Sequence, residues 1–103
     1  MITDKQFEDS FTAVGGWFFL INFETMYNWR GTKNELIDKL FAEGFDANRS
    51  GTTTRVSSSL RIIENNRGEE ALVKIRNSVR INQQHPDAKR MADFLLKQYY
   101  NLK

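Results

Sequence analysis

This chain of 103 residues predicts an all-α fold: a compact bundle of about five to six helices packed around a central aromatic helix at about residues 17–29. Three observations carry that expectation. Placed at about 100° per residue, the stretch Gly15–Trp29 (GGWFFLINFETMYNW) shows apolar side chains around nearly its whole circumference, and such a helix belongs in an interior. Apolar residues recur at i, i+4, i+7 on both sides of it. No segment reads outright as a strand: one is conceivable only over the threonine- and serine-rich fourth helix, where the i, i+4 spacing favours a helix.

Thr3-Asp4-Lys5-Gln6 has the pattern of a capping box, the Thr3 hydroxyl accepting from the Gln6 amide while the Gln6 side chain reaches back. Ile2 and Phe7 stand at the positions of a hydrophobic staple. Phe7, Phe11 and Val14 follow as one stripe, so the first helix runs to about Val14 and Gly15-Gly16 break or bend it. The central helix ends at Trp29-Arg30-Gly31. Thr32-Lys33-Asn34-Glu35 is a second capping box, followed by the stripe Leu36, Ile37, Leu40 and Phe41, and Gly44 suits a left-handed position after a helix.

Phe45 to Gly51 reads as a loop. A fourth helix is expected from about Gly51–Thr53 to about Asn66, with Val56, Leu60 and Ile63 facing inward, although three threonines and three serines lower its propensity. A fifth begins near Glu69, its acids at the positive end of the helix dipole, and buries Leu72, Ile75 and Val79. Asn82-Gln83-Gln84-His85 reads as a polar turn. Pro86 at N1 and Asp87 in the first turn start a sixth helix, with Ala88, Met91, Leu95, Tyr99 and Leu102 on its inner face.

The length predicts a single domain over residues 1–103. The absence of cysteine removes disulfide and thiolate chemistry and suits a reducing cytoplasm, the expected location. A membrane span needs roughly 20 apolar residues, whereas Asn22 and Glu24 interrupt the apolar run early. Asp4, Glu8 and Asp9 precede it where a signal peptide would carry bases. No membrane association is expected.

Charge is distributed unevenly. Residues 1–48 carry four bases against eight acids, and residues 49–82 seven bases against three. Either the basic part meets an anionic partner, or the halves attract each other within the fold or across a dimer.

On a helical wheel Thr54, Ser58, Arg61 and Asn65 share the face opposite Val56, Leu60 and Ile63, with Arg55 at its edge. These are side-chain types that reach phosphates and base edges. Arg49, Ser50 and Thr52 would add a helix N-terminus with hydroxyls and guanidinium groups around it. Nucleic acid bound through residues 49–65, in a helix-turn-helix-like arrangement, is therefore the first functional expectation. The connection from Gly44 to Ser50 is longer than the three to four residues of the simple motif.

The alternative is a protein-interaction or inhibitor module, or a homodimer. It would use the exposed aromatic and acidic surface of the first half, where Tyr27, Trp29 and Arg30, with Tyr99 and Tyr100, are types enriched at interface hot spots. A third reading rests on Asp46, Asn48, Ser50 and Gly51, which resemble the first half of an EF-hand calcium loop at positions 1, 3, 5 and 6. The loop departs from that pattern at position 12, which is Ser57 rather than glutamate. Carboxylates are scattered, the lone His85 precedes Pro86, and no glycine belongs to a phosphate-loop pattern. No catalytic residue, cofactor, metal or small-molecule substrate is expected.

Overall fold

The computed structural model describes residues 1–101. Among them are seven helices and no strand: α1 (Asp4–Val14), α2 (Gly16–Tyr27), α3 (Lys33–Ala42), α4 (Arg49–Glu64), α5 (Gly68–Arg76), α6 (Val79–Gln84) and α7 (Ala88–Tyr100). Among the described residues no helix is long and apolar enough to cross a membrane. Leu102 of the expected inner face lies outside the described residues.

Local chemistry fixes most helix ends. Both capping boxes form: the Gln6 amide donates to the Thr3 hydroxyl at 3.1 Å, and the Glu35 amide to the Thr32 hydroxyl at 3.1 Å. The Thr32 amide in turn donates to the Glu35 carboxylate, which holds that carboxyl below its ordinary value. Between α1 and α2 the chain turns at Gly15 with φ of +80°, which only glycine adopts without strain. After α3, Gly44 takes φ of +86° and donates its N–H to the Phe41 carbonyl. α4 ends without a glycine. Asn66 adopts the left-handed conformation instead, and the Asn66 and Arg67 amides return to the Ile63 and Ile62 carbonyls.

α2 packs against α1, α4, α5 and α7. It contributes Phe18, Phe19, Leu20, Phe23 and Met26 to the core, and the Asn22 side chain, also buried, donates to the Phe18 carbonyl. It is not covered all round. Ile21, Glu24, Tyr27 and Asn28 reach solvent, forming a stripe at helical spacing.

Two expectations about packing are corrected. α4 begins at Arg49 with Asn48 as its N-cap, not at Gly51–Thr53. It is also rotated from the expected register. Thr52, Val56, Ser59 and Ile62 are buried, while Leu60 and Ile63 are only partly so. Two of these four buried positions, Thr52 and Ser59, carry hydroxyls, which an aliphatic-only reading of the stripe misses.

The expected fifth helix is two. α5 stops at Arg76, Ser78 caps α6 by accepting from the Ile81 amide, and the Asn82 side-chain amide donates to the carbonyls of Ile75, Arg76 and Ser78. The break turns Val79 outward to 71% exposure and places Asn82–Gln84 inside a helix rather than a turn.

Charge ties the two halves together. Arg49 pairs with Asp38, Arg55 with Asp46, Arg67 with Asp4 and Lys74 with Glu8, at 2.9 to 3.1 Å. Four of the seven bases in residues 49–82 thus meet acids of residues 1–48. Arg67 also binds Glu70, whose hydrogen bond raises the guanidinium further above its ordinary value, and lies 4.3 Å over the Phe7 ring.

Candidate functional site

The eight residues expected to face nucleic acid are not equivalent in the structure. Thr52 is fully buried, and its hydroxyl donates to the Asp46 carboxylate at 3.0 Å. The Arg55 Nε donates to the other Asp46 oxygen at 2.9 Å, and an Arg55 terminal nitrogen donates to the Val14 carbonyl. The same guanidinium packs over the rings of Phe45 and Phe18. Thr52 is therefore internal, and the partly exposed Arg55 has its guanidinium committed to contacts within the fold. A charged head that satisfies a carboxylate, a helix-end carbonyl and two aromatic faces is a structural clasp.

The other six remain at or near the surface. Arg49 is exposed but shared with Asp38. The Ser50 hydroxyl donates to Asn48, and the Thr54 hydroxyl to the Ser50 carbonyl. Asn65 donates to the Arg61 carbonyl. Ser58 is half-buried, and Arg61 is exposed with no ion-pair partner among the described residues. Thr54, Ser58, Arg61 and Asn65 do share one outward face of α4, but two of these polar groups, Thr54 and Asn65, answer to their own helix, and one unpaired cation is a small electrostatic footprint for a polyanion.

A different surface lies between α2 and α7. Phe94 projects from α7 at 56% exposure, and Ile21 from α2 at 41%. Between them Leu20, Met91 and Leu95 floor a groove of about 380 Å³, with Glu24 and Arg90 on its rim. On the other flank of Phe94 a shallower cleft of about 540 Å³ is lined by Pro86, Lys89, Arg90, Asp93 and Lys97. Along α2 the exposed stripe continues to Tyr27, whose ring centre lies 4.8 Å from that of Tyr99. The Tyr99 hydroxyl donates to Glu24 at 2.8 Å and accepts from Asn28 at 3.0 Å, tying the two helices. Burial, then the bond to Glu24, raise the Tyr99 phenol above its ordinary value.

Sequence reasoning placed Ile21 in the core and gave Phe94 no role. The available signal was that Phe94 falls beside, not on, the apolar stripe of α7. Of the aromatics it did single out, Tyr27 is exposed. Trp29 is half-buried with its indole N–H on the Thr32 carbonyl, and Tyr100 is half-buried against Phe23 and Gly68. Burial pushes the Tyr100 phenol up to about 12.

The remaining candidates are structural. Asp46, position 1 of the loop that resembles an EF-hand, is committed to Arg55 and Thr52, and Asn48 to capping α4. Among the described residues no three His, Cys, Asp or Glu are grouped to hold a metal ion. The His85 imidazole lies flat on Trp17, ring centres 3.7 Å apart. No family model matches the chain, and no characterised protein or solved structure matches it either.

Proposed function

We propose that this domain is a protein-recognition module working through the α2–α7 face around Phe94. The observation that carries the reading is a large aromatic side chain, more than half exposed and the most exposed phenylalanine of the chain, standing beside an apolar groove. Leaving that area in water costs free energy that a partner recovers on docking. Aromatic anchors with a polar rim are the usual centre of such interfaces.

The test is affinity capture with wild type, Phe94→Glu and Arg61→Ala in parallel, after circular dichroism has established that all three fold. A protein partner held by wild type and Arg61→Ala, and lost by Phe94→Glu, is the expected result. Captured species indifferent to Phe94→Glu would remove the proposal.

A second reading is favoured by one observation, the shared outward face of Thr54, Ser58, Arg61 and Asn65. It makes α4 a nucleic-acid contact helix of a helix-turn-helix-like pair with α3. Binding to duplex or single-stranded oligonucleotide that falls steeply with salt, and falls again in Arg49→Ala plus Arg61→Ala, is its signature. Arg55→Ala is no probe of it, because that change attacks the fold.

A further inference from the structure

We infer that the partner of the Phe94 face is an acidic amphipathic helical segment of another protein. This rests on the protein-recognition reading and adds the chemistry of the occupant. Three features select it.

The first is the charge left over around Phe94. Each acid nearby is already engaged within the chain: Asp93 by Arg76 at 3.3 Å, Asp87 by Arg90 at 3.0 Å, and Glu24 by the Tyr99 hydroxyl. Lys89 and Lys97 are exposed and have no ion-pair partner among the described residues. Glu24 keeps its charge, since a neutral phenol does not cancel it, so two lysines stand against one carboxylate and the balance around the anchor is positive, with a lysine on each side of it along α7. Complementarity asks for carboxylates from the partner, which speed encounter and fix register.

The second is shape. The groove runs between two helices, with Ile21 and Phe94 as its walls and Leu20, Met91 and Leu95 beneath. A volume of about 380 Å³ takes a few apolar side chains rather than a whole element. Helices dock into such grooves by residues at i, i+3/i+4 and i+7, with the backbone outside. Carboxylates flanking that apolar row would then fall beside Lys89 and Lys97.

The third is what the surface disfavours. A second copy docked about a two-fold axis would bring Lys89, Arg90 and Lys97 towards their own counterparts, and like charges brought together raise the energy of that pairing. An anionic membrane would satisfy the lysines but is too flat to fill the groove.

The experiment selects a displayed library of random peptides, about four helical turns long, against the immobilised full chain. Recovered sequences are expected to carry apolar residues at i, i+3/i+4, i+7 and a clear excess of Asp and Glu. A representative peptide should bind about tenfold or more weakly to Phe94→Ala, and progressively more weakly as salt rises from about 0.05 to 0.5 M. Selection against Lys89→Glu plus Lys97→Glu should instead return peptides rich in Lys and Arg. Both lysines are exposed, so that variant keeps the fold.

The outcomes separate the two levels. Peptides that need Phe94 but show no acidic excess, or no reversal with the charge-swapped variant, overturn the acidic partner and leave the recognition site standing. A library yielding no Phe94-dependent binder removes the site itself. Phe94-dependent binding to vesicles of anionic phospholipid, with no such peptide, assigns the face to a membrane and overturns the inference.

Discussion

Truncating Arg55 to alanine should cost the fold about 3 kcal/mol. Its side chain is 28% exposed and that of its partner Asp46 only 12%. Hydrogen bonds to charged groups are each worth roughly 1.5 kcal/mol or more net. Arg55 makes two, to the Asp46 carboxylate and to the Val14 carbonyl at the end of α1. Contact with the Phe18 and Phe45 rings adds about 0.5–1 kcal/mol each where water still reaches. Non-additivity pulls the sum back towards 3.

The assay is urea unfolding followed by tryptophan fluorescence. With a slope of about 1.5 kcal/mol/M for a domain of this size, the midpoint should fall by about 2 M. Asp46→Ala should be comparably damaging, because it also strands the Thr52 hydroxyl. The double variant should lose less than the sum, by about 1–2 kcal/mol. Arg55→Lys should recover under half the loss, since a single ammonium cannot reach both acceptors. Arg61→Ala, on the outer face of the same helix, should stay within about 0.5 kcal/mol. If Arg55→Ala behaves like Arg61→Ala, or the two clasp variants are simply additive, Arg55 is a surface residue and the argument for its internal role collapses.

Three further expectations are open to direct measurement. The Ser59 hydroxyl is fully buried with no hydrogen-bond partner among the described residues, so Ser59→Ala should raise stability by about 1 kcal/mol, adding helix propensity to relief of a desolvated group, in the same urea assay. Asn82→Ala withdraws one amide from three carbonyls and should cost about 2 kcal/mol, with amide hydrogen exchange accelerating first around the junction of α5 and α6. Tyr100 is neutral in the fold up to about pH 12, whereas an unfolded tyrosine ionises near 10. The stability this confers is complete below about pH 10 and disappears as pH climbs towards 12. Tyr100→Phe should therefore lose less stability than wild type across that window, and equal losses would contradict a phenol shielded by burial.

The parts of the fold legible in the sequence are those set by neighbours along the chain. Thr3 and Thr32 announce capping boxes because donor and acceptor lie three residues apart, and Gly44 marks a left-handed turn because only backbone geometry is at stake. Arg55 failed for the opposite reason. Its partners are residues 14, 18, 45 and 46, brought together only by packing, so a wheel drawn for α4 alone put it at the edge of a solvent face. Thr52 misled similarly, since a hydroxyl that bonds Asp46 inside the fold looks the same in sequence as a hydroxyl that faces a ligand. Val79 fitted the apolar period, but the Asn82 amide satisfies the carbonyls of a broken helix and rotates it outward. For the α2–α7 face, the sequence offered only an aromatic out of register at Phe94. Proposing it as a site required knowing that Ile21 stands opposite.

The most extensive contact of α1 is with α4, not with its sequence neighbour. On the ribosome, Phe7, Val14 and the aromatic run of α2 therefore emerge long before their cover exists. About 50 more residues must be added after Val14 before α4 is complete, some seconds of elongation. Throughout that interval the nascent chain presents its stickiest segment to whatever is near. Chaperone engagement of this protein should accordingly concentrate on stalled chains whose α2 has left the exit tunnel while α4 is still inside it, and fall away as the later helices emerge.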